Sequence, residues 1–246
     1  MNPAWSIVFF TTLSGAAQGL VVALAVAVLA GFGLDPAFLR AALAVASVTL
    51  LAALGSSFLH LGHKLRAWRA VLMWRTSWMS REVIVMPAFM AVVAAWWLAL
   101  AMEPGPLAAR ALPLACIVLA LALWVCTAMI YACLRFVQEW AHPLTVANYT
   151  LIGLSSGLVL AAALGVLAGE ARFAQATAPW ALAATLAAWG VRMASLWRNA
   201  RLKPKSTLQT ATGIRARRLV QMTMGMSAGS FNTRGFFHRV AEPGGR

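Results

Sequence analysis

The sequence predicts an all-α membrane protein, an antiparallel bundle of about six transmembrane helices with a polar C-terminal tail. Three observations carry this expectation. The 246 residues are 62% apolar and only 11% charged, too little polar surface for a domain that covers itself in water. Six stretches lack Asp, Glu, Lys and Arg, namely Met1–Leu34, Ala41–His63, Val83–Met102, Ala111–Leu134, Trp140–Gly169 and Phe173–Val191. Each can cross a hydrocarbon core of roughly 30 Å, which takes about 20 helical residues. The 20 basic residues, apart from Arg40, Arg110 and Arg172, all fall on one set of alternate connections or on the C-terminal segment. That asymmetry is the signature of cytoplasmic loops.

Helices are expected over 5–33, 40–62, 82–102, 109–137, 144–168 and 175–197, giving a bundle over 1–198 and an extramembrane, partner-docking tail over 199–246. Met1–Trp5 carries no basic side chain and the first apolar run is too long for a signal peptide, so the first segment is read as a retained helix. Short turns at Gly33-Leu34-Asp35-Pro36, Glu103-Pro104-Gly105-Pro106 and Gly169-Glu170-Ala171-Arg172 imply antiparallel neighbours. With six spans, the basic loops and both termini lie on the same side. The setting implied is a bacterial inner membrane with that side cytoplasmic. The net charge of +14 is accounted for by orientation and by contact with lipid phosphate or a partner, not by nucleic acid.

The second connection, His63–Arg81, interleaves Lys64, Arg66, Arg69, Arg75 and Arg81 with Trp68, Trp74 and Trp78. It reads either as an amphipathic helix in the interface or as an aromatic and basic belt anchoring its neighbours. Beyond Arg198 the apolar runs cease; the tail either folds against a partner or is disordered.

Acidic groups are scarce, and only Glu82 and Glu139 adjoin apolar helices. Glu82 opens the third helix. It is favoured there by the helix dipole and by pairing with Arg81, yet an ionisable group at the membrane boundary is also a functional candidate. His60, at the end of the second helix, lies at the same membrane face and is either a C-terminal cap or the partner of Glu82. A histidine and a carboxylate at an apolar cleft suit proton transfer to and from a hydroquinone. Glu139 reads as an ion pair with Arg135 four residues earlier, ahead of a direct catalytic role. No haem is expected, because none of His60, His63, His142 and His238 lies in mid-membrane. No metal is expected in this chain, since Cys116, Cys126 and Cys133 lack ligand spacing and read as packing residues. A transporter is a second class of function. Gln18, Ser47, Thr49 and Thr127 are the few polar groups available to it, and Ser or Thr in such helices mostly bonds its own backbone.

The segments Phe58-Leu59-His60-Leu61-Gly62-His63, Arg66-Ala67-Trp68-Arg69 and Thr76-Ser77-Trp78-Met79-Ser80-Arg81-Glu82 resemble the membrane anchor subunit of dimethyl sulfoxide reductase. So do Arg135-Phe136-Val137-Gln138-Glu139-Trp140, followed by Pro143-Leu144-Thr145 and Asn148, and Gly229-Ser230-Phe231-Asn232-Thr233-Arg234 with Phe236-Phe237-His238. The resemblance implies an anchor without haem that binds a quinol or quinone, menaquinone or ubiquinone, near one membrane face. It also implies an iron–sulfur partner with 4Fe–4S clusters and, beyond that, a molybdopterin catalytic subunit. By motif position His60 and Glu82 are the proton-handling residues at the quinol, with Arg66 and Arg81 as supporting groups. The chain itself would be either a quinol-oxidising subunit or a non-catalytic, purely structural anchor. The family usually continues into two further helices, and Lys64-Leu65 and Gly235 replace residues common in it.

Overall fold

The computed structural model describes residues 5–59, 64–102 and 105–203. Six long helices run through it: α1 (Trp5–Leu29), α2 (Pro36–Leu59), α3 (Trp78–Ala99), α4 (Pro106–Ala132), α5 (Pro143–Leu167) and α6 (Ala171–Ala200). A 3-10 helix, Lys64–Met73, precedes α3. The first five are long and apolar enough to cross a membrane. The sixth, at 30 residues, is longer than any of them but carries Arg172, Arg192 and Arg198 and is less apolar. This is a multi-pass membrane protein.

Helix boundaries follow local chemistry. Pro36, Pro106 and Pro143 start α2, α4 and α5, where a missing N–H costs nothing and φ is already set. Ser77 caps α3, its hydroxyl accepting from the Ser80 N–H at 3.3 Å. Gly31 and Gly33 after α1, and Gly169 after α5, take positive φ and stop those helices. Most helices therefore begin several residues before the uncharged stretches do. Arg40, Arg110 and Arg172 sit in first or second turns, where a charge can reach the headgroup layer, and Glu82 lies in the second turn of α3. In the opposite sense α1 stops at Leu29 and α4 at Ala132, short of the expected 33 and 137. The tail's first residues belong to α6; the part beyond Lys203, including Gly229–His238, lies outside the described residues.

α1 is the hub, packed against α2, α4 and α5, while α3 packs on α4 and α6 on α5. Of its apolar window 61% is buried, against 28–39% in the other four. Leu20, Leu24, Leu43, Leu50, Phe89, Trp96 and Leu123 form the centre of the core. Every helix also presents large apolar side chains outward, among them Val48, Leu51, Leu107, Leu167 and Trp180. Water would not tolerate such a continuous apolar exterior, whereas lipid matches it.

The tightest contact is between α1 and α5. Gly15 and Gly19 face Gly153 and Gly157, so that a Cβ on Gly19 would stand 2.9 Å from the Gly157 Cα. Small residues four apart on both helices allow this approach, which between membrane helices supplies van der Waals attraction that lipid cannot. Gly153 has a second role: a Cβ there would meet the Trp124 indole, 3.1 Å from its Cε2.

The two ends of the bundle are tied differently. At the less basic end the Asp35 N–H donates to Glu170 at 3.2 Å, and the Trp97 indole donates to the Arg40 carbonyl at 3.1 Å. At the basic end, guanidinium groups lie over indoles: Arg81 over Trp78 at 4.2 Å and Arg201 over Trp197 at 3.5 Å. Arg198 donates twice to the Gln138 carbonyl, both at 3.2 Å, holding α6 to the α4–α5 connection.

Candidate functional site

A carboxylate at the start of a membrane helix ordinarily turns to water. Glu82, one turn into α3, does not: it is only 7% exposed and faces α4, where the Thr127 hydroxyl donates to its Oε1. Ser47 and Thr49 satisfy themselves on their own helix, bonding the carbonyls of Leu43 and Val45, both at 2.8 Å. Thr127 instead reaches a different helix. Nearby, Tyr131 and Tyr149 stack with centroids 5.6 Å apart, within electrostatic range of Glu82.

On the other side of Thr127 lies a cavity of about 240 Å³ between α1, α4 and α5, at the basic end of the bundle. Its wall includes Ser14, Gln18, Trp124, Thr127, Asn148 and Tyr149, with the exposed Arg192 of α6 and an apolar side formed by Phe10 and Ile152. Gln18 donates to the Ser14 hydroxyl at 2.8 Å; Asn148 donates to the Leu144 carbonyl at 2.8 Å and to the Ser195 hydroxyl at 2.7 Å. Yet the Gln18 Oε1, the Asn148 Oδ1 and the Trp124 Nε1 are buried without hydrogen-bond partners among the described residues. In hydrocarbon each such atom costs about 1–3 kcal/mol. All three belong to side chains of the cavity wall, which thus carries amide, hydroxyl and indole groups suited to a molecule that offers both acceptors and donors.

The sequence candidates fare unequally. Glu82 is at this site. Arg81, expected beside it, points back along the chain, donating to the carbonyls of Trp74 at 3.0 Å and Arg75 at 2.9 Å. It shapes the entry to α3 and does not pair with Glu82. Arg66 is exposed on the 3-10 helix. His60 lies outside the described residues. The expected pair of Glu139 with Arg135 is not made, because α4 has already ended and the two no longer share a helix face; the Glu139 Oε2 is buried without a partner among the described residues. His142 caps α5, its Nδ1 accepting from the Leu144 N–H at 3.2 Å. Partial burial and the nearby positive charge of Arg198 hold its pKa below the ordinary histidine value.

Gln18 and Thr127 are visible in the sequence as polar groups in mid-helix. Trp124 gives no such signal, and Asn148 enters only through the family motif. Their distinguishing feature, an unanswered polar atom, exists only once α1, α4 and α5 are assembled.

Comparison with known proteins gives the architecture a family. The family model of the DMSO reductase anchor subunit, DmsC, matches residues 1–215. The chain belongs to this family. A curated relative, a sulfite dehydrogenase subunit of Allochromatium vinosum, is 47% identical over 255 aligned positions, covering 97% of this chain and 78% of that one. No solved structure matches. The protein is therefore a membrane anchor of the kind that associates with the catalytic part of an oxidoreductase.

Proposed function

We propose that this chain is the quinone-reactive anchor of a respiratory oxidoreductase of a bacterial inner membrane, with its basic face cytoplasmic. It exchanges electrons with a docked partner that holds 4Fe–4S clusters and serves a molybdopterin catalytic subunit. The single observation that carries the reading is Glu82, a buried carboxylate bonded to Thr127 beside a cavity with polar side chains in its wall. Placing a charge at membrane depth costs about 3 kcal/mol, a cost that packing alone does not repay. A proton-accepting group there suits a molecule that gains or loses protons with its electrons. His60 is assigned to the same end of the bundle by its position after α2 in the family motif.

Likeness to a sulfite dehydrogenase subunit favours one direction and one substrate: sulfite is oxidised in the partner, and quinone is reduced at this anchor. The partner then docks on the basic face, close to the cavity, because electron tunnelling falls steeply with distance. The test is sulfite-dependent reduction of a short-chain quinone by the complex purified in mild detergent. The expected result is activity in the wild-type complex and loss of at least about tenfold in Glu82→Gln, with the partner subunits still attached. Full quinone reduction in Glu82→Gln would make the chain a purely structural anchor. Dimethyl sulfoxide reduction by a quinol, in place of sulfite oxidation, would reverse the direction.

A further inference from the structure

Glu82 does not itself line the cavity; Thr127 does, and Thr127 is the side chain bonded to Glu82. We infer that the cavity between α1, α4 and α5 receives the quinone ring, and that Thr127 carries protons between that ring and Glu82. This rests on the quinone-reactive reading above and adds the place and the route.

The lining identifies the ring's chemistry. The wall carries the Gln18 and Asn148 amides, the Ser14 and Thr127 hydroxyls and the Trp124 indole. Amides and hydroxyls both donate and accept and the indole N–H donates, so such a wall can meet a carbonyl or a hydroxyl. A quinone and its hydroquinone are one apolar ring that supplies the carbonyl when oxidised and the hydroxyl when reduced. Phe10 and Ile152 provide the apolar contact. At about 240 Å³ the space is slightly below the roughly 300–1,000 Å³ typical of sites that enclose a whole drug-sized ligand, room for a head group without a long tail.

Thr127 can serve both neighbours because a hydroxyl has one proton, two lone pairs and a free rotor. In reduction, the Glu82 O–H bond breaks as its proton joins the Thr127 oxygen, and the former Thr127 proton bonds to a ring oxygen. Glu82 is left as a carboxylate and is reprotonated from the aqueous basic face, after which the second proton follows the same route. The two electrons come, one at a time, from the partner's iron–sulfur clusters. In oxidation every step runs backward.

The experiment uses the full complex and decyl-ubiquinone as probe, comparing Thr127→Val, Thr127→Ser, Glu82→Gln and Trp124→Phe. Valine keeps the shape and removes the hydroxyl; serine keeps the hydroxyl. Thr127→Val is expected to lower kcat on the order of 10²-fold with KM little changed, and Thr127→Ser to recover most of the loss. Trp124→Phe is expected to weaken equilibrium binding of the probe, measured without turnover, by about five- to tenfold, the worth of one hydrogen bond. Partner attachment, read from the size of the complex, should be unchanged in all four. If Glu82→Gln is inactive while Thr127→Val turns over normally, the relay is wrong and the quinone-reactive reading stands. If Glu82→Gln is fully active, that reading fails first. Unaltered probe binding in Trp124→Phe would place the ring elsewhere.

Discussion

The α1–α5 crossing is the feature on which the cavity depends, and a single methyl group tests it. A Cβ on Gly157 would run into the Gly19 Cα and carbonyl carbon and the Leu20 amide nitrogen, all of them backbone atoms that cannot rotate aside. Relief requires α1 and α5 to part by about 1 Å, and a gap of 0.5–1 Å already forfeits about a quarter to a half of each contact's attraction. Overpacking of this kind costs about 1–3 kcal/mol, and Gly157→Ala belongs at the upper end because nothing flexible adjoins it. The internal control is Gly190→Ala. It is the same substitution on α6, where a Cβ meets nothing within 4 Å. There the change should leave stability unaltered or raise it by about 0.5–1 kcal/mol, since alanine is the better helix former. Unfolding of the purified protein in mixed micelles, titrated with a denaturing detergent and followed by tryptophan fluorescence, measures both. Gly157→Ala as stable as the wild type, or Gly190→Ala equally destabilised, would refute the account of the crossing.

Two further changes bear on the basic end of the bundle. Arg198→Met removes both bonds to the Gln138 carbonyl and should cost about 1 kcal/mol, the side chain being partly exposed; proteolysis near Gln138 should quicken, and unchanged cleavage would contradict the docking role. The His142 cap requires an unprotonated Nδ1, and the folded pKa lies below the ordinary 6.5. Its contribution is therefore complete above 6.5 and lost as pH falls through the lowered folded value. Melting temperature should accordingly fall more steeply in that range for the wild type than for His142→Asn, whose cap does not titrate; parallel profiles would rule the cap out.

Much of the fold was legible because lipid imposes a coarse code. Uninterrupted apolar runs and one-sided basic loops sufficed for six helices and their alternation. Their ends were less legible, because an uncharged run ends where a charge appears, whereas a helix ends where backbone geometry changes, as at Gly31 and Gly169. The glycines four apart at Gly15 and Gly19 and at Gly153 and Gly157 carry the tightest crossing, yet in an apolar sequence such a spacing does not say which pair of helices meets. Glu82 was legible as the scarce acid near a membrane helix. Its partner was not, since a threonine that bonds its own turn, like Thr49, and one that reaches across to another helix, like Thr127, look alike in sequence.

The energetic character of the site follows from the same scarcity. Many of the serine and threonine hydroxyls within the helices are settled locally, on the carbonyl of the preceding turn. The exceptions concentrate at the basic end, where α1, α4 and α5 converge on the cavity and α3 brings Glu82 to its back wall. A bundle selected only to hold a partner at the membrane would have replaced Glu82 with a leucine and filled the cavity beside Trp124, gaining several kcal/mol. The glycines bear on the same site: they draw α1 onto α5, and Gly15 and Gly153 form part of the cavity's wall. The proposed quinone-reactive role thus rests on a combination: a carboxylate kept from water, a hydroxyl that joins it to a cavity, and a cavity wall of amide, hydroxyl and indole side chains.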